Sequence, residues 1–326
     1  MQVEALVGDP NFNYLGTFDS LGEIFVEAAR RALSVGRENA GRASPNRELP
    51  GFAFVLSDPR ARLIDVEARR TNVPFLMAEF LWHITCRTDA AMLAAYAPGI
   101  ARFSADGRSF TGSAYGPRLF GPHRATSQWA SVLRCLRADP QSRRAVLLLM
   151  YAAEDRSPAN RDMTCTVALQ FFVREGRLDF VTQMRSNDIM RGLPSDVFLF
   201  TLLQEVAAAE LGLTPGTYTH IANVAQIYAP DLAWAQECVG RRVRSKGVMS
   251  ALPSHQVWQA LETIAAIEDS LRTRCARVVP PLAEHSSFQA WQRMFGRFHA
   301  TRRGGNADSI DWIAEYRRAT CEPPAA

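Results

Sequence analysis

With 326 residues, 47% hydrophobic and 21% charged, the chain can build one large domain or two small ones around an ample core. Its net charge of +4 comes from scattered arginines, which suits a small anionic substrate and gives no footing for nucleic-acid binding. No apolar run reaches membrane-spanning length, no signal peptide is evident, and six dispersed cysteines without a C-x-x-C pair argue against a disulfide framework or zinc site, so a soluble protein of the reduced cytoplasm is expected.

In chain order, residues 1 to 16 read as an irregular lead-in and Leu21 to Leu33 as an amphipathic helix. Gly36 to Pro50, rich in Arg, Asn, Gly and Pro, reads as a loop carrying Arg42 and Arg47. Phe52 to Leu56 and Arg62 to Val66 read as strands joined by Ser57-Asp58-Pro59-Arg60. Pro74 to Cys86 is a strongly apolar helix, Gly99 to Pro122 a glycine-rich loop, Gln128 to Leu136 a short helix and Ala145 to Tyr151 a buried strand. After a polar loop at 152–162, Val167 to Val173 and Leu178 to Met184 flank Arg174-Glu175-Gly176-Arg177, the pattern of a β-hairpin. Pro194 suits a first helical turn, and an apolar run supplies a helix at 197–212. A strand from Tyr218 to Ala225 and helices at 229–239, 257–271 and 310–316 complete the reading. The six histidines show no metal-ligand spacing.

The hairpin organises the chemistry. Cys165 precedes its first strand, Arg185-Ser186-Asn187-Asp188 ends its second, and Gly192-Leu193-Pro194 lets backbone approach a ligand closely. A thiol, a guanidinium, a hydroxyl and carboxylates thus collect at one mouth. Cys165 with Gln170, Gln183-Met184-Arg185-Ser186-Asn187-Asp188, Gly192-Leu193-Pro194, Asp139-Pro140-Gln141-Ser142-Arg143-Arg144, Glu79-Phe80-Leu81-Trp82, Tyr115-Gly116 and Tyr228 occur in an order that resembles the thymidylate synthase family, over roughly residues 15 to 240. The resemblance implies an α/β (mixed α+β) fold with a mixed sheet and flanking helices, the sheet packing at a homodimer interface. It also implies a catalytic domain over 1–240, with 241–326 a helical extension on the same domain.

The resemblance further implies that Cys165 adds to C6 of a pyrimidine nucleotide, which makes C5 nucleophilic toward the one-carbon unit of 5,10-methylenetetrahydrofolate. Nearby guanidinium groups are expected to lower the thiol pKa. Arg42, Arg143, Arg144 and Arg185, with Ser186, are the phosphate candidates, since guanidinium forks match phosphate oxygens. Of these, Arg143 and Arg144 would reach across the two-fold axis. Glu79, on an apolar helix face, is implied as a proton relay with Tyr115, burial raising its pKa. Asp188 would face the pterin, near Gly192, Phe103 and Trp82, although Trp82 on an apolar helix also reads as packing.

Asp196 is the sharpest departure from the family pattern, where Asn reads uracil. A carboxylate instead accepts from cytosine N4–H; the other reading of Asp196 is a cap for the helix after Pro194. Thr166 replaces the His that follows the nucleophile, Gln226 replaces a sugar-contacting His, and the folate-side tryptophans and apolar carboxyl end are missing. A more open site admits water, which favours hydroxymethyl over methyl transfer. The expected enzyme is therefore a hydroxymethyltransferase acting on CMP or dCMP. Thymidylate synthesis from dUMP and a catalytically inactive nucleotide-binding relative are the alternatives.

Overall fold

The side chains that alternate between core and solvent along the hairpin extend into one eight-stranded mixed sheet in a computed structural model, which describes residues 12–41, 44–154, 156–275, 286–303 and 310–321. Strands β1 (Asn13–Phe18), β3 (Asn46–Leu56), β9 (Thr214–Tyr228), β7 (Arg177–Met184), β6 (Thr166–Arg174) and β5 (Val146–Leu148) lie side by side in that order. β2 (Arg37–Asn39) pairs antiparallel with β3, and β8 (Asn187–Asp188) parallel with β9. β4 (Asp65–Val66) and β10 (Val243–Ser245) form a separate two-stranded pair. The other parallel neighbours are β1 with β3 and β7 with β9.

The hairpin closes as its sequence requires. Glu175 and Gly176 both adopt positive φ, 49° and 72°, the geometry that matches the right-handed twist of the flanking strands.

Helix α6 (Gly192–Leu211) is the central pillar. It buries residues on every side, from Leu193 to Ala208, as a helix apolar all round must, and ends on Gly212 at φ 68°. Its one interior amide, Gln204, donates to the Leu178 carbonyl at 2.8 Å and so fastens α6 to β7. Helix α2 (Val73–Ile84) starts on an Asn72 cap and Pro74 and packs against α6. Short helices α3 (Ala90–Ala94) and α4 (Tyr115–Phe120) interrupt the long loop before α5 (Gln128–Ala138). Helix α1 (Leu21–Val35) meets α7 (Leu232–Val239) and β3, while α8 (Val257–Thr273), α9 (Ser286–Arg303) and α10 (Trp312–Cys321) surround α2.

Several local expectations change. The end of the lead-in expected to be irregular, residues 13–16, belongs to β1, and the expected loop at 36–50 holds β2 and the start of β3, where Arg47 pairs with Glu38 at 3.2 Å. The strand expected at 62–66 shrinks to two residues, because Arg62 turns inward to a buried ion pair with Glu205. The last helix runs later, from Trp312 to Cys321, and α9 was not anticipated. No helix among the described residues is long and apolar enough to cross a membrane.

Candidate active site

Register assembles the site. β6 runs antiparallel to β7 with Thr166 opposite Met184, so the start of one strand meets the end of the other, and Cys165 lies beside Arg185. β8 continues the same edge, pairing Asn187 with Ala225 and Asp188 with Gln226. α6 begins four residues after Asp188 and brings Asp196 round after one turn. α2, packed on α6, supplies Glu79.

Cys165 is partly buried, and Arg185 Nη2 lies 3.5 Å from its sulfur. Arg185 also donates from Nε to the Thr164 carbonyl at 2.8 Å and from Nη2 to the Met163 carbonyl at 3.3 Å. The expectation of a lowered thiol pKa does not hold. Burial pushes it up, Arg185 opposes this, and the Asp196 and Asp188 charges add to the rise. Thr166 Oγ1 lies 3.0 Å from the Tyr115 hydroxyl, whose ring stacks between His83 and Phe200. Burial keeps that phenol protonated, so it acts as a neutral hydrogen-bonding group.

Among the described residues three buried carboxyls lie near one another, each raised mainly by desolvation. Glu79 is pushed to about 8 by burial and by the Asp196 charge, against a hydrogen bond from Ser195. Asp196 is pushed to about 7 by burial, partly offset by the Asn187 hydrogen bond, with Asp188 adding to the rise. Asp188 is pushed to about 6 by burial, while the amides of Met190 and Arg191 hold its Oδ1 at 2.8 and 3.1 Å. Gly192 leaves this corner close-fitting. A Cβ at that position would stand 3.2 Å from Asn187 Nδ2 and 3.4 Å from Asp196 Oδ2.

Ser186 Oγ accepts from Gln226 Nε2 at 3.0 Å, and the same amide reaches the Tyr228 hydroxyl at 3.4 Å. Cys165, Arg185, Glu79, Tyr115, Asp188, Asp196 and Gly192 are linked by these contacts and charges, and Ser186, Gln226 and Tyr228 adjoin them on the sheet edge. Other candidates stand apart. Gln170 gives its amide to the Arg143 carbonyl at 2.9 Å across β5 and β6. Arg143 and Arg144 are exposed just before β5. Phe103 is 51% exposed, under Arg102. Trp82 is sealed among His83 and Phe110 with its indole N–H on the Asp89 carbonyl, which leaves no ring face for a pterin and corrects its assignment to the folate side. Arg42 lies outside the described residues.

Sequence reasoning passed over three neighbours of the site. Asn187 donates to Asp196 Oδ2 at 2.7 Å, and buried His220 contacts Asn187 Oδ1 at 3.1 Å. Asp162 holds the loop before α4, accepting from the amides of Thr111, Gly112 and Ser113. Asn187 stood inside a quoted motif, and His220 sits on the inward alternation of β9, so both left a trace in the sequence.

The thymidylate synthase family model matches residues 28–267. The chain belongs to the thymidylate synthase family. That match passes the boundary near residue 240 expected from motif likeness and ends inside α8. Thymidylate synthase-like enzymes use methylenetetrahydrofolate as cosubstrate. Two curated relatives are similar. A deoxyuridylate hydroxymethyltransferase of Bacillus phage SP01 is 27% identical over 220 residues, covering 64% of this chain and 57% of the relative. Another, of Delftia phage PhiW-14, is 26% identical over 231 residues, covering 66% of this chain and 63% of the relative. The chain thus spans about three-fifths of the length of these thymidylate synthase-related proteins.

Proposed function

We propose that this chain transfers a one-carbon unit to C5 of CMP or dCMP and completes the reaction with water, giving the 5-hydroxymethyl nucleotide. The observation that carries the reading is Asp196, held by Asn187 beside Cys165 where the family pattern has Asn. An ionised carboxylate accepts from cytosine N4–H, whereas uracil would set O4 against another acceptor. Such a mismatch costs about 1–3 kcal/mol per buried group, enough for a preference of a decade or more.

In this reading the Cys165 thiolate forms a bond to C6 and the ring electrons move to C5, which attacks the one-carbon unit. Because burial opposes ionisation of the thiol, Arg185 at 3.5 Å is the group that stabilises its charge. 5,10-Methylenetetrahydrofolate, as cosubstrate, supplies that unit. Asp188 fits a pterin, since Oδ1 is taken by two amides and Oδ2 is left as acceptor for ring N–H groups. Glu79 moves protons, being protonated at neutral pH and able to donate before it accepts, and the neutral Tyr115 phenol serves the relay only through its hydrogen bonds. Loss of the C5 proton, with cleavage of the carbon–nitrogen bond and departure of tetrahydrofolate, leaves an exocyclic methylene. Water adds there, and the sulfur departs from C6. Arg185 Nη1, Arg42 and Ser186 hold the phosphate with the partner subunit's copies of Arg143 and Arg144. Gln226 and Tyr228 meet the sugar, and Gln170 braces the strand.

The relatives' names favour a second reading, the same hydroxymethylation of deoxyuridylate. Side-by-side turnover of CMP, dCMP and dUMP with the folate, followed by mass analysis, decides. A gain of CH2O marks hydroxymethyl and a gain of CH2 marks methyl. Faster turnover of dUMP than of either cytidylate overturns the base assignment. Absence of tritium release from C5 of all three would make the chain a binding relative only.

A further inference from the structure

Asp196 does not choose its hydrogen bonds alone. Tyr218 Oη lies 2.9 Å from His220 Nδ1, His220 Nε2 lies 3.1 Å from Asn187 Oδ1, and Asn187 Nδ2 lies 2.7 Å from Asp196 Oδ2. Four side chains from β8, β9 and α6 thus form one continuous chain ending at Asp196. His220 is fully buried and stacked on Phe54, ring centroids 5.0 Å apart and planes within 8°. Burial holds its pKa down to about 3, so the ring carries a single proton.

A neutral imidazole donates at one nitrogen and accepts at the other. With the proton on Nε2, the ring donates to the Asn187 oxygen and accepts the Tyr218 hydroxyl proton at Nδ1. The Asn187 amide is then oriented with N–H toward Asp196. With the proton on Nδ1, the amide would turn over and present oxygen to Asp196, which could then bond only as the protonated acid. The groups acting electrostatically with Asp196 are Asp188, Glu79 on α2, Tyr115 on α4, Cys165 before β6 and Tyr218 on β9. All are acidic or neutral, so the Asn187 N–H is the contact among them that favours a carboxylate over an acid.

We infer that Tyr218, His220 and Asn187 are specificity-determining positioning residues, which hold Asp196 Oδ2 as an acceptor and favour Oδ1 as an acceptor for the base. This rests on the reading that Asp196 selects the pyrimidine. A carboxylate so committed accepts N4–H and rejects O4. An uncommitted carboxyl can protonate, carries both a donor and an acceptor, and serves cytosine or uracil alike.

The test measures kcat/KM on full-length protein for CMP against UMP and for dCMP against dUMP, so that the sugar is constant within each pair. Asn187→Leu is expected to lower the cytosine-to-uracil ratio about tenfold. His220→Phe, which keeps a ring against Phe54 but removes the donor, is expected to lower it several-fold, and it serves as the second variant should Asn187→Leu misfold. A purely structural role would slow both bases equally and leave the ratio unchanged. Asp196→Asn is the control. If it shifts the ratio while Asn187→Leu and His220→Phe do not, the inference is overturned and the reading of Asp196 stands. Should Asp196→Asn leave the ratio unchanged, the reading fails and the inference with it.

Discussion

In the proposed reaction Glu79 owes its role to where it is kept. Its helix is apolar, so the carboxyl is desolvated, and the nearby Asp196 charge raises its pKa further to about 8. Glu79→Gln keeps the shape and removes the titration. Turnover should fall by about two to four decades with nucleotide affinity nearly unchanged, as steady-state kinetics and equilibrium binding would record. A loss below tenfold would take Glu79 out of proton transfer. Stability gives an independent readout. A raised pKa means that the folded state retains a proton the unfolded chain releases. The stabilisation is therefore complete below the unfolded value near 4.5 and is lost as pH rises through about 8. Asp196 and Asp188 act in the same direction over lower windows, ending near 7 and 6. The thermal midpoint should decline across that range, and less steeply in Glu79→Gln. An identical slope in the two proteins would mean that Glu79 ionises freely. The sequence made Glu79 legible, because a lone carboxylate among Met77, Phe80, Leu81 and Trp82 is conspicuous. It gave a misleading sign for the Cys165 thiol, because an arginine is visible in sequence and desolvation is not.

Among the elements, the loop from Thr111 to Ser113 depends on one acid. Asp162 is buried and accepts from three consecutive amides, those of Gly112 and Ser113 at 2.9 Å, and from the Ser113 hydroxyl. It thereby ties the approach to α4, and so Tyr115, to the segment leading into Cys165. Asp162→Ala strands those donors and should cost about 1–3 kcal/mol, visible in denaturant unfolding. Turnover should fall as well, since Tyr115 and Cys165 lose their common brace. Unchanged stability would show that water replaces the carboxylate. Gly112→Ala should be worse tolerated, because its Cβ would meet the Asp162 carbonyl oxygen at 1.6 Å. Local patterns announced the hairpin, α1, α2 and α6, whose signals are periodicity, caps and turn residues. β1 and β2 escaped notice for different reasons: β1 owes its existence to a distant parallel partner in β3, and β2 is three residues long and exposed throughout. α9 does carry a helical rhythm in Phe288, Trp291, Met294, Phe295 and Phe298, but Gly296 and its many polar residues hide it.

At the scale of the molecule, the helices after residue 256 are part of the site's foundation. Trp291 of α9 packs edge-on against Phe80, one residue from Glu79, at 5.9 Å, and Tyr96 stacks on Phe298 at 4.7 Å. We propose that this extension braces α2. Trp291→Ala should cost about 3–5 kcal/mol. It should also lower kcat more than it raises KM, because in the proposed reaction the group displaced moves protons instead of binding substrate. Equal effects on both would point to general loosening.

The other whole-molecule proposal concerns a second copy. Val146 and Leu148 project outward from β5 at 37% and 51% exposure, with Tyr151 at 42% close by, and Arg143 and Arg144 stand exposed at the same edge. Apolar side chains on a strand face gain most when covered, whereas two adjacent guanidinium groups need an anion. A homodimer that buries this face and sends each arginine pair into the other subunit's nucleotide site satisfies both. Cys165→Ala and the double change Arg143→Ala, Arg144→Ala should each be nearly inactive alone. Random mixing makes half the dimers hybrid, and each hybrid holds one site with an intact cysteine and intact arginines. Mixing equal amounts after reversible dissociation should therefore restore roughly a quarter of wild-type activity. If the arginines served the site of their own chain, each hybrid would contain two defective sites and no activity would return.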